Sequence, residues 1–303
     1  MKSPVLSILF LLISVTLLAV PNDFRFRHFS VEDGLSSNSV RAIMQDKYGF
    51  LWIGTEEGLN RYDGIMIKSY SICPQAAGKY ISSLYGTKKN IWIGTDEGIY
   101  IYAYATETFT YFDLTTPNNV RITSIVNHIL QDKDGNLWFS TNGQGLFRYN
   151  LSKNYLEQYE FTSAFGIVAS TMADSDNQIW ALTNQGESGV YKLNKAENKF
   201  EPFGLLYNAG NHHSQALAML EDSEQTLWLG TWECGLQKID KYTRQTTTYL
   251  HPTDGKGVTH IHSLMEYAPH QLLIGSDDGL LLFNTLTEEY KLFTENETVP
   301  NSL

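Results

Sequence analysis

The sequence predicts an all-β fold, a β-propeller of four-stranded antiparallel blades, and two recurrent features carry this prediction. A short apolar strand centred on tryptophan recurs at intervals of 40–48 residues, and a turn containing glycine or other small polar residues follows each copy. A period of roughly 40–50 residues with a tryptophan on a short strand is typical of propeller blades. The recurrent positions are Trp52, Trp92, Trp138, Trp180, Trp228 and, with the indole absent, Leu273.

The first repeat shows how each blade is built. Residues 40–46 alternate apolar and polar, as in a half-buried strand, and residues 50–55 form a largely apolar strand of the kind buried on both faces. Residues 59–63 and 65–70 provide a third and a fourth strand. Six full repeats are predicted, with blades near residues 38–72, 80–113, 124–161, 168–204, 214–250 and 260–294.

The recurrent tryptophans are predicted to be core residues. A lone twisted sheet has two apolar faces and cannot bury both, so neighbouring blades must cover them. The five tryptophans, and Leu273 in the sixth repeat, are therefore expected to pack between sheets and not to bind a ligand.

The two ends of the chain carry separate predictions. Residues 1–20, with Lys2 before an apolar run, are predicted to be a signal peptide, which leaves 21–303 as an exported propeller domain. Residues 24–29 alternate like a fourth strand that has no blade before it, and residues 299–303 resemble the loop that precedes a first strand. We therefore expect residues 24–29 to belong to a seventh, incomplete blade; the alternative is a closed six-bladed ring with this strand added to an edge.

Residues 28–63 carry a family resemblance. This stretch resembles the opening of the periplasmic sensor region of Bacteroidetes hybrid two-component systems, which carry two-component regulator propeller repeats. The resemblance implies that the chain is a periplasmic sensor of carbohydrate. It also implies that the chain corresponds to the N-terminal propeller of such a receptor and to no other part of it. It also implies partners in downstream propeller and histidine kinase segments of the same receptor, and allows a homodimer. Kinase, ATP-binding and receiver motifs are not visible in residues 1–303, so enzymatic activity is not expected of this chain.

The turns between second and third strands should share one face of the ring with the segments that lead into the first strands. Trp232 is the one tryptophan outside the repeated position; it lies in such a turn and Glu233 follows it. An aromatic ring beside a carboxylate is suited to stack on a sugar, although Trp232 could instead pack on the loop of the next blade. The remaining candidates by position are Tyr207, Asn211, His212, His213, Asn142, Gln144, Asp277 and Asp278.

The charge and the metal-ligating residues limit other functions. With 33 acidic against 22 basic side chains, the chain is not expected to bind nucleic acid. Adjacent histidines on an extended strand point in opposite directions, so His212 and His213 do not predict a metal site, and cofactors are not expected. Two rival functions stay open, a propeller enzyme (a lyase or glycoside hydrolase) and a protein-binding scaffold. His128, His212, His213, His260 and His262 are the histidines available to a lyase centre.

Overall fold

The computed structural model confirms the predicted all-β propeller, with six four-stranded antiparallel blades. It describes residues 24–73, 79–161, 166–183, 189–204, 215–251, 257–295 and 302–303. Blade 1 consists of β1 (Val40–Gln45), β2 (Leu51–Thr55), β3 (Gly58–Tyr62) and β4 (Ile67–Tyr70). Blade 2 consists of β5 (Ile81–Gly86), β6 (Asn90–Thr95), β7 (Gly98–Ala103) and β8 (Thr108–Tyr111). Blade 3 consists of β9 (Val126–Gln131), β10 (Leu137–Thr141), β11 (Leu146–Asn150) and β12 (Tyr155–Tyr159).

The remaining blades repeat the same order. Blade 4 consists of β13 (Val168–Ala173), β14 (Ile179–Thr183), β15 (Val190–Asn194) and β16 (Lys199–Pro202). Blade 5 consists of β17 (Ala216–Glu221), β18 (Leu227–Thr231), β19 (Leu236–Ile239) and β20 (Thr246–Tyr249). Blade 6 consists of β21 (Ile261–Ala268), β22 (Gln271–Ser276), β23 (Gly279–Asn284) and β24 (Tyr290–Phe293). A 3-10 helix at Val31–Asp33 precedes blade 1.

The first strand of each blade packs beside the first strand of the next, from β1 to β21 in chain order, which makes these six strands the inner wall. Each contains an irregularity immediately after its first residue. Such a bulge re-aims one side chain away from the regular ladder. The residues at these bulges are Arg41, Ser82, Asn127, Ala169, Leu217 and His262.

The recurrent indoles lie between blades. All five of them are buried, whereas Leu273 at the equivalent position of blade 6 is only half-buried. In blades 1, 3, 4 and 5 the indole N–H donates to an aspartate that lies six residues earlier, at 2.7–2.9 Å. These aspartates are Asp46, Asp132, Asp174 and Asp222. A buried N–H loses its water and needs such an acceptor.

A hydroxyl closes the turn after the second strand in five of the blades. The Thr231 hydroxyl donates to the carbonyl of Gly235 at 2.8 Å and accepts the backbone N–H of Cys234 at 3.0 Å. Thr55, Thr95, Thr141 and Ser276 make the equivalent bond to a glycine carbonyl. This bond fixes the turn that displays the side chain following the threonine or serine.

The predicted strand at residues 24–29 is wrong. Residues 24–30 are described and lie outside every β-strand. The Phe24 ring contacts Tyr267 and Phe293 of blade 6, and the Phe29 ring contacts Tyr62 of blade 1. A strand forms only where a neighbouring strand offers free backbone N–H and C=O groups. For residues 24–29 to be an outermost strand, that neighbour would have to be the third strand of a seventh blade.

Several predictions concern other parts of the chain. The predicted signal peptide, residues 1–20, lies outside the described residues. Within the described ranges, we find no helix with the length and apolar character needed to cross a bilayer. Cys73 and Cys234 carry thiols and do not form a disulfide.

Candidate functional site

One face of the ring, here called the mouth, brings together the turns between second and third strands and the segments that lead into the first strands. Arg41 pairs with Glu56 across blade 1, and Lys79 pairs with Glu97 across blade 2. In blade 6 the Asp278 carboxylate accepts the backbone N–H of Thr259 at 2.6 Å. The predicted sharing of one face by these two sets of loops is confirmed by these contacts.

Trp232 lies at the mouth, in the turn that follows β18. Its backbone N–H donates to the carbonyl of Gln215 at 2.9 Å, and the Thr231 hydroxyl holds the same turn from the other side. The residue keeps 39% of its surface exposed, whereas the five repeated tryptophans keep at most 3%. The turn therefore presents an indole to solvent from a rigid support.

His260 of blade 6 covers one face of this indole. The two rings stack with centroids 3.8 Å apart and planes inclined by 28°. The backbone N–H of His260 donates to the carbonyl of Trp232 at 3.0 Å, and His260 adopts a left-handed conformation with φ of 45°. Non-glycine residues in this conformation are uncommon and often mark functional sites. The sequence allows two alternatives for Trp232, stacking on a sugar or packing on the loop of the next blade. The second alternative describes the face of the indole that His260 covers.

Asp277 holds two imidazoles at the mouth. One carboxylate oxygen lies 2.5 Å from Nδ1 of His260, and the other lies 2.7 Å from Nε2 of His262. The hydrogen bonds from His260 and then from His262 lower the pKa of the Asp277 carboxyl, so that it is ionised at neutral pH. His262 reaches the carboxylate because it is the bulged residue of β21.

Together Trp232, His260, His262 and Asp277 form what we call the mouth site. It combines a flat apolar surface with a carboxylate acceptor and imidazole groups that donate or accept hydrogen bonds. Sugars present both an apolar ring face and a rim of hydroxyl groups, so this combination suits a pyranose better than it suits a purely apolar ligand. The sequence alone indicates His260 and His262 only as histidines available to a lyase centre.

The other sequence candidates have different surroundings. Gln144 is fully engaged: its side chain accepts from Thr123 and Ser124 and donates to the carbonyl of Arg121. Asp278 accepts from Thr259, and exposed Asn142 bridges to Ile167 of the next blade. Glu233 is exposed beside Trp232. Tyr207, Asn211, His212 and His213 lie outside the described residues.

Metal binding finds no further support. Among the side chains that the structure describes, no group of three or more histidines, cysteines and carboxylates could hold a metal ion. The nitrogen atoms of His260 and His262 that face Asp277 are occupied by hydrogen bonds to it.

A second concave surface lies far from the mouth, on the outer rim between blades 4 and 5. This groove of about 550 Å³ is lined by Lys192, Phe203, Lys241, Tyr242 and Arg244, among others. Lys241 is committed to Glu221 and Asp174, and Tyr242 is 90% exposed. Because the most exposed part of its wall is the Tyr242 ring, we regard the mouth, with its stacked and hydrogen-bonded side chains, as the better candidate.

His128 on the inner wall gives a testable pH dependence. Its Nδ1 accepts the backbone N–H of Thr171 at 3.4 Å, and burial lowers its pKa to about 4. The unfolded chain takes up this proton near pH 6.5, so protonation favours the unfolded state as the pH falls from 6.5 towards 4. The stability contributed by neutral His128 is therefore present above pH 6.5 and lost below it.

Between pH 7.5 and 4.5 the free energy of unfolding should fall by about 1–3 kcal/mol because of His128. The shift of its pKa to about 4 sets the upper end of this range, and the partial exposure of the side chain lowers the effect. Urea unfolding of His128→Gln should show a correspondingly smaller drop over this range than the wild type, and His270→Gln controls for the loss of an imidazole elsewhere. Equal drops for wild type and His128→Gln would contradict the assignment.

Comparison with known proteins identifies the repeats. Residues 34–57 and 120–143 match the family described as two component regulator propeller. The chain is 26% identical over 293 residues to histidine kinase P4 of Formosa agariphila. This match covers 91% of the chain but only 21% of the kinase, so the chain spans about a fifth of the length of that relative. The predicted resemblance to two-component regulator propellers is thereby confirmed.

Two solved structures share the fold. The extracellular domain assigned to the hybrid two-component system BT3049 of B. thetaiotaomicron superposes with a TM-score of 0.76 at 22% identity; the match covers 93% of this chain and 38% of that one. Virginiamycin B lyase from Staphylococcus aureus superposes with a TM-score of 0.67 at 14% identity, over 84% of this chain and 83% of the lyase. At these identities the likeness shows the fold alone.

Proposed function

We propose that this chain is the ligand-recognising propeller of an extracytoplasmic sensor and that an oligosaccharide binds at the mouth site. The observation that carries the proposal is the exposed indole of Trp232, fixed against His260 beside a carboxylate that two imidazoles hold in place. The repeat family and the likeness to extracellular domains of two-component systems support a sensor located outside the cytoplasm.

The signal would pass to a histidine kinase segment that is not among residues 1–303. The matched relative is a histidine kinase about five times longer than the aligned region, which agrees with this arrangement. Catalysis by the chain itself is not part of the proposal. A periplasmic location would require residues 1–20 to act as the export signal.

The ligand is expected to stack on the free face of Trp232 and to donate hydroxyl hydrogen bonds to Asp277. The Asp277 carboxylate is exposed on its outer side, where its side chain retains about half of its surface. Because the site is built from one turn of blade 5 and two segments of blade 6, a ligand there would bridge two blades. This is a position at which binding can change how blades pack.

The test is a glycan array probed with the purified propeller, followed by calorimetry of the best ligand with variants. Trp232→Ala should weaken binding by about tenfold or more, because loss of a stacked aromatic ring costs at least about 1.4 kcal/mol. Its melting temperature should stay within a few degrees of the wild type, since the indole is exposed.

Tyr242→Ala is the matched control, because it removes an even more exposed aromatic ring from the same blade, far from the mouth. It should leave affinity unchanged. An array without a bound glycan, or equal affinity of wild type and Trp232→Ala, would contradict the proposal. Cleavage of the ligand during the assay, abolished in His260→Ala, would instead favour the enzyme alternative.

A further inference from the structure

The outer groove between blades 4 and 5 has a charge that differs from that of the whole chain. Its volume of about 550 Å³ falls within the range of small-molecule sites. Its lining includes four cationic side chains, Lys192, Lys195, Lys241 and Arg244, and one carboxylate, Glu201. The chain as a whole carries 22 basic against 33 acidic side chains. The groove is therefore a local excess of positive charge on an acidic protein.

Three of the four cations in the groove are not neutralised by the described part of the chain. Lys241 forms an ion pair with Glu221 of blade 5. By contrast, no described carboxylate forms an ion pair with Lys192, Lys195 or Arg244. An anion that enters the groove from solution would therefore meet positive charges that have no competing partner among these carboxylates.

Two of these cations lie on neighbouring aromatic rings. The Lys192 amine is 5.2 Å from the centre of the Trp180 ring, and the Arg244 guanidinium is 5.4 Å from the centre of the Phe203 ring. The two rings pack edge to face with their centroids 4.8 Å apart. Cations at such distances are attracted to the face of an aromatic ring. One aromatic pair thus supports a positive charge from blade 4 beside a positive charge from blade 5.

The equivalent position of blade 3 shows what such a cation binds. Arg148 lies opposite Trp138 in the sheet register, and its guanidinium is 5.6 Å from the centre of that ring. Lys192 lies opposite Trp180 in the same way. The Arg148 guanidinium donates to the Glu157 carboxylate at 2.5 Å. A cation placed on the repeated indole is therefore a carboxylate receptor in this fold.

In blade 4 the corresponding carboxylate points to a different partner. Glu201 lies opposite Lys192 in the register, at the position that Glu157 has in blade 3. The Glu201 carboxylate accepts a hydrogen bond from Nδ2 of Asn194 at 3.0 Å and does not form an ion pair with Lys192. The groove therefore keeps a carboxylate receptor that the protein's own glutamate does not occupy.

We propose that this groove binds a small molecule that carries a carboxylate group, such as a sugar acid or an organic acid. The carboxylate lies between Lys192 and Arg244 and accepts hydrogen bonds from both, as Glu157 does from Arg148. Tyr242 lines the same groove, is 90% exposed, and offers its ring to the rest of the ligand. The groove lies far from the mouth site, so this binding is independent of the function proposed there.

The test is a titration of the ¹⁵N-labelled propeller with D-glucuronate, and D-glucose is the matched neutral sugar. The indole N–H signal of Trp180, which supports Lys192, should shift and saturate at about 10 mM glucuronate or below, while that of Trp228 stays in place. Glucose should not move the Trp180 signal. Raising the salt concentration from about 50 mM to about 500 mM should weaken binding by about threefold or more. A Trp180 signal that does not move, or that moves equally with glucose, would overturn the proposal.

Four variants test the residues, and all four change side chains at the surface. Lys192→Gln and Arg244→Gln should each weaken glucuronate binding by about fivefold or more. Glu201→Gln should tighten it by about twofold or more, because it removes the one carboxylate among the described residues of the lining. Lys238→Gln is the matched control, since it removes a lysine that lies on Trp228 outside this groove, and it should leave the affinity unchanged. Equal losses for Lys192→Gln and Lys238→Gln would show unspecific attraction and overturn the proposal.

Two further probes identify the source of the carboxylate. Citrate that binds as tightly as glucuronate would support the proposal with an organic acid as the ligand. Glucuronate that binds more tightly than citrate, and loses this advantage in Tyr242→Ala, would support it with a sugar acid as the ligand. A hexaglutamate peptide that moves the Trp180 signal when neither small acid does would overturn the proposal and identify an acidic protein segment as the occupant.

Discussion

Replacing Asp132 by alanine is expected to lower the free energy of unfolding by about 2–4 kcal/mol. The Asp132 carboxylate accepts the indole N–H of Trp138 at 2.8 Å and, through its other oxygen, the backbone N–H of Asn136 at 2.8 Å. Trp138 is 1% exposed, so the orphaned N–H has no water to replace the lost acceptor. Urea unfolding followed by circular dichroism measures the loss.

Asp134→Ala is the matched control, since it removes the same charge from the same turn. Asp134 makes one exposed hydrogen bond, with Asn177, so the loss should stay below about 1 kcal/mol. Asp132→Asn should be intermediate, because one amide oxygen cannot accept both hydrogen bonds with the carboxylate's geometry. Equal stability of the two alanine variants would contradict the role given to the aspartate.

Gly230→Leu is expected to destabilise the protein by about 2–4 kcal/mol. Its Cβ atom alone would lie 2.5 Å from Cγ2 of Ile261 and 3.0 Å from the carbonyl oxygen of Ile261, so blades 5 and 6 must move apart. Separation also costs contacts in the cluster around Trp228, which includes Val258 and Ile261.

Gly275→Leu is the matched substitution in blade 6 and should change stability by less than about 1 kcal/mol, since the nearest atom is the hydroxyl of Ser263. Thermal unfolding of the two variants side by side measures the difference. Similar losses for Gly230→Leu and Gly275→Leu would mean that blade 6 is already covered in solution.

The repeat pattern made the blades predictable, but not all that stabilises them. The spacing of the tryptophans predicts the sheets because each blade needs a large buried side chain at the same position. The aspartate six residues before the tryptophan was a readable signal that was missed. Blade 2 has Gly86 at this position, and the indole N–H of Trp92 is buried without a hydrogen-bond partner. Blade 6 has neither residue: Tyr267 and Leu273 stand in their places.

Two of the four residues of the mouth site, Trp232 and Asp277, are candidates from the sequence alone. Trp232 was identified because it falls outside the period, and Asp277 because it lies in the equivalent turn of the next blade. The partnership of His260 and His262 with Asp277 could not be read from the sequence, since it depends on the bulge in β21 and on the left-handed backbone at His260. The stacking of His260 on Trp232 crosses between blades, and only the packing of the blades sets that contact.

The strand predicted at residues 24–29 failed for a different reason. Its alternating pattern was read correctly as apolar on one side, because Phe24 and Phe26 pack on blade 6. Alternation alone does not supply a hydrogen-bonding neighbour, and residues 24–30 pair with no sheet edge among the described strands.

The central claim is that the propeller buries its repeated indoles and presents one further indole, Trp232, for recognition. A two-dimensional ¹H–¹⁵N spectrum of the indole N–H groups, recorded in D₂O exchange and then during titration with the oligosaccharide found on the array, tests both parts at once. The signals of Trp52, Trp138, Trp180 and Trp228 should exchange slowly and stay in place, while that of Trp232 exchanges fast and shifts with ligand. Two results would contradict this claim. One is a titration that leaves the Trp232 signal in place, and the other is exchange of the four hydrogen-bonded indole N–H groups as fast as that of Trp232.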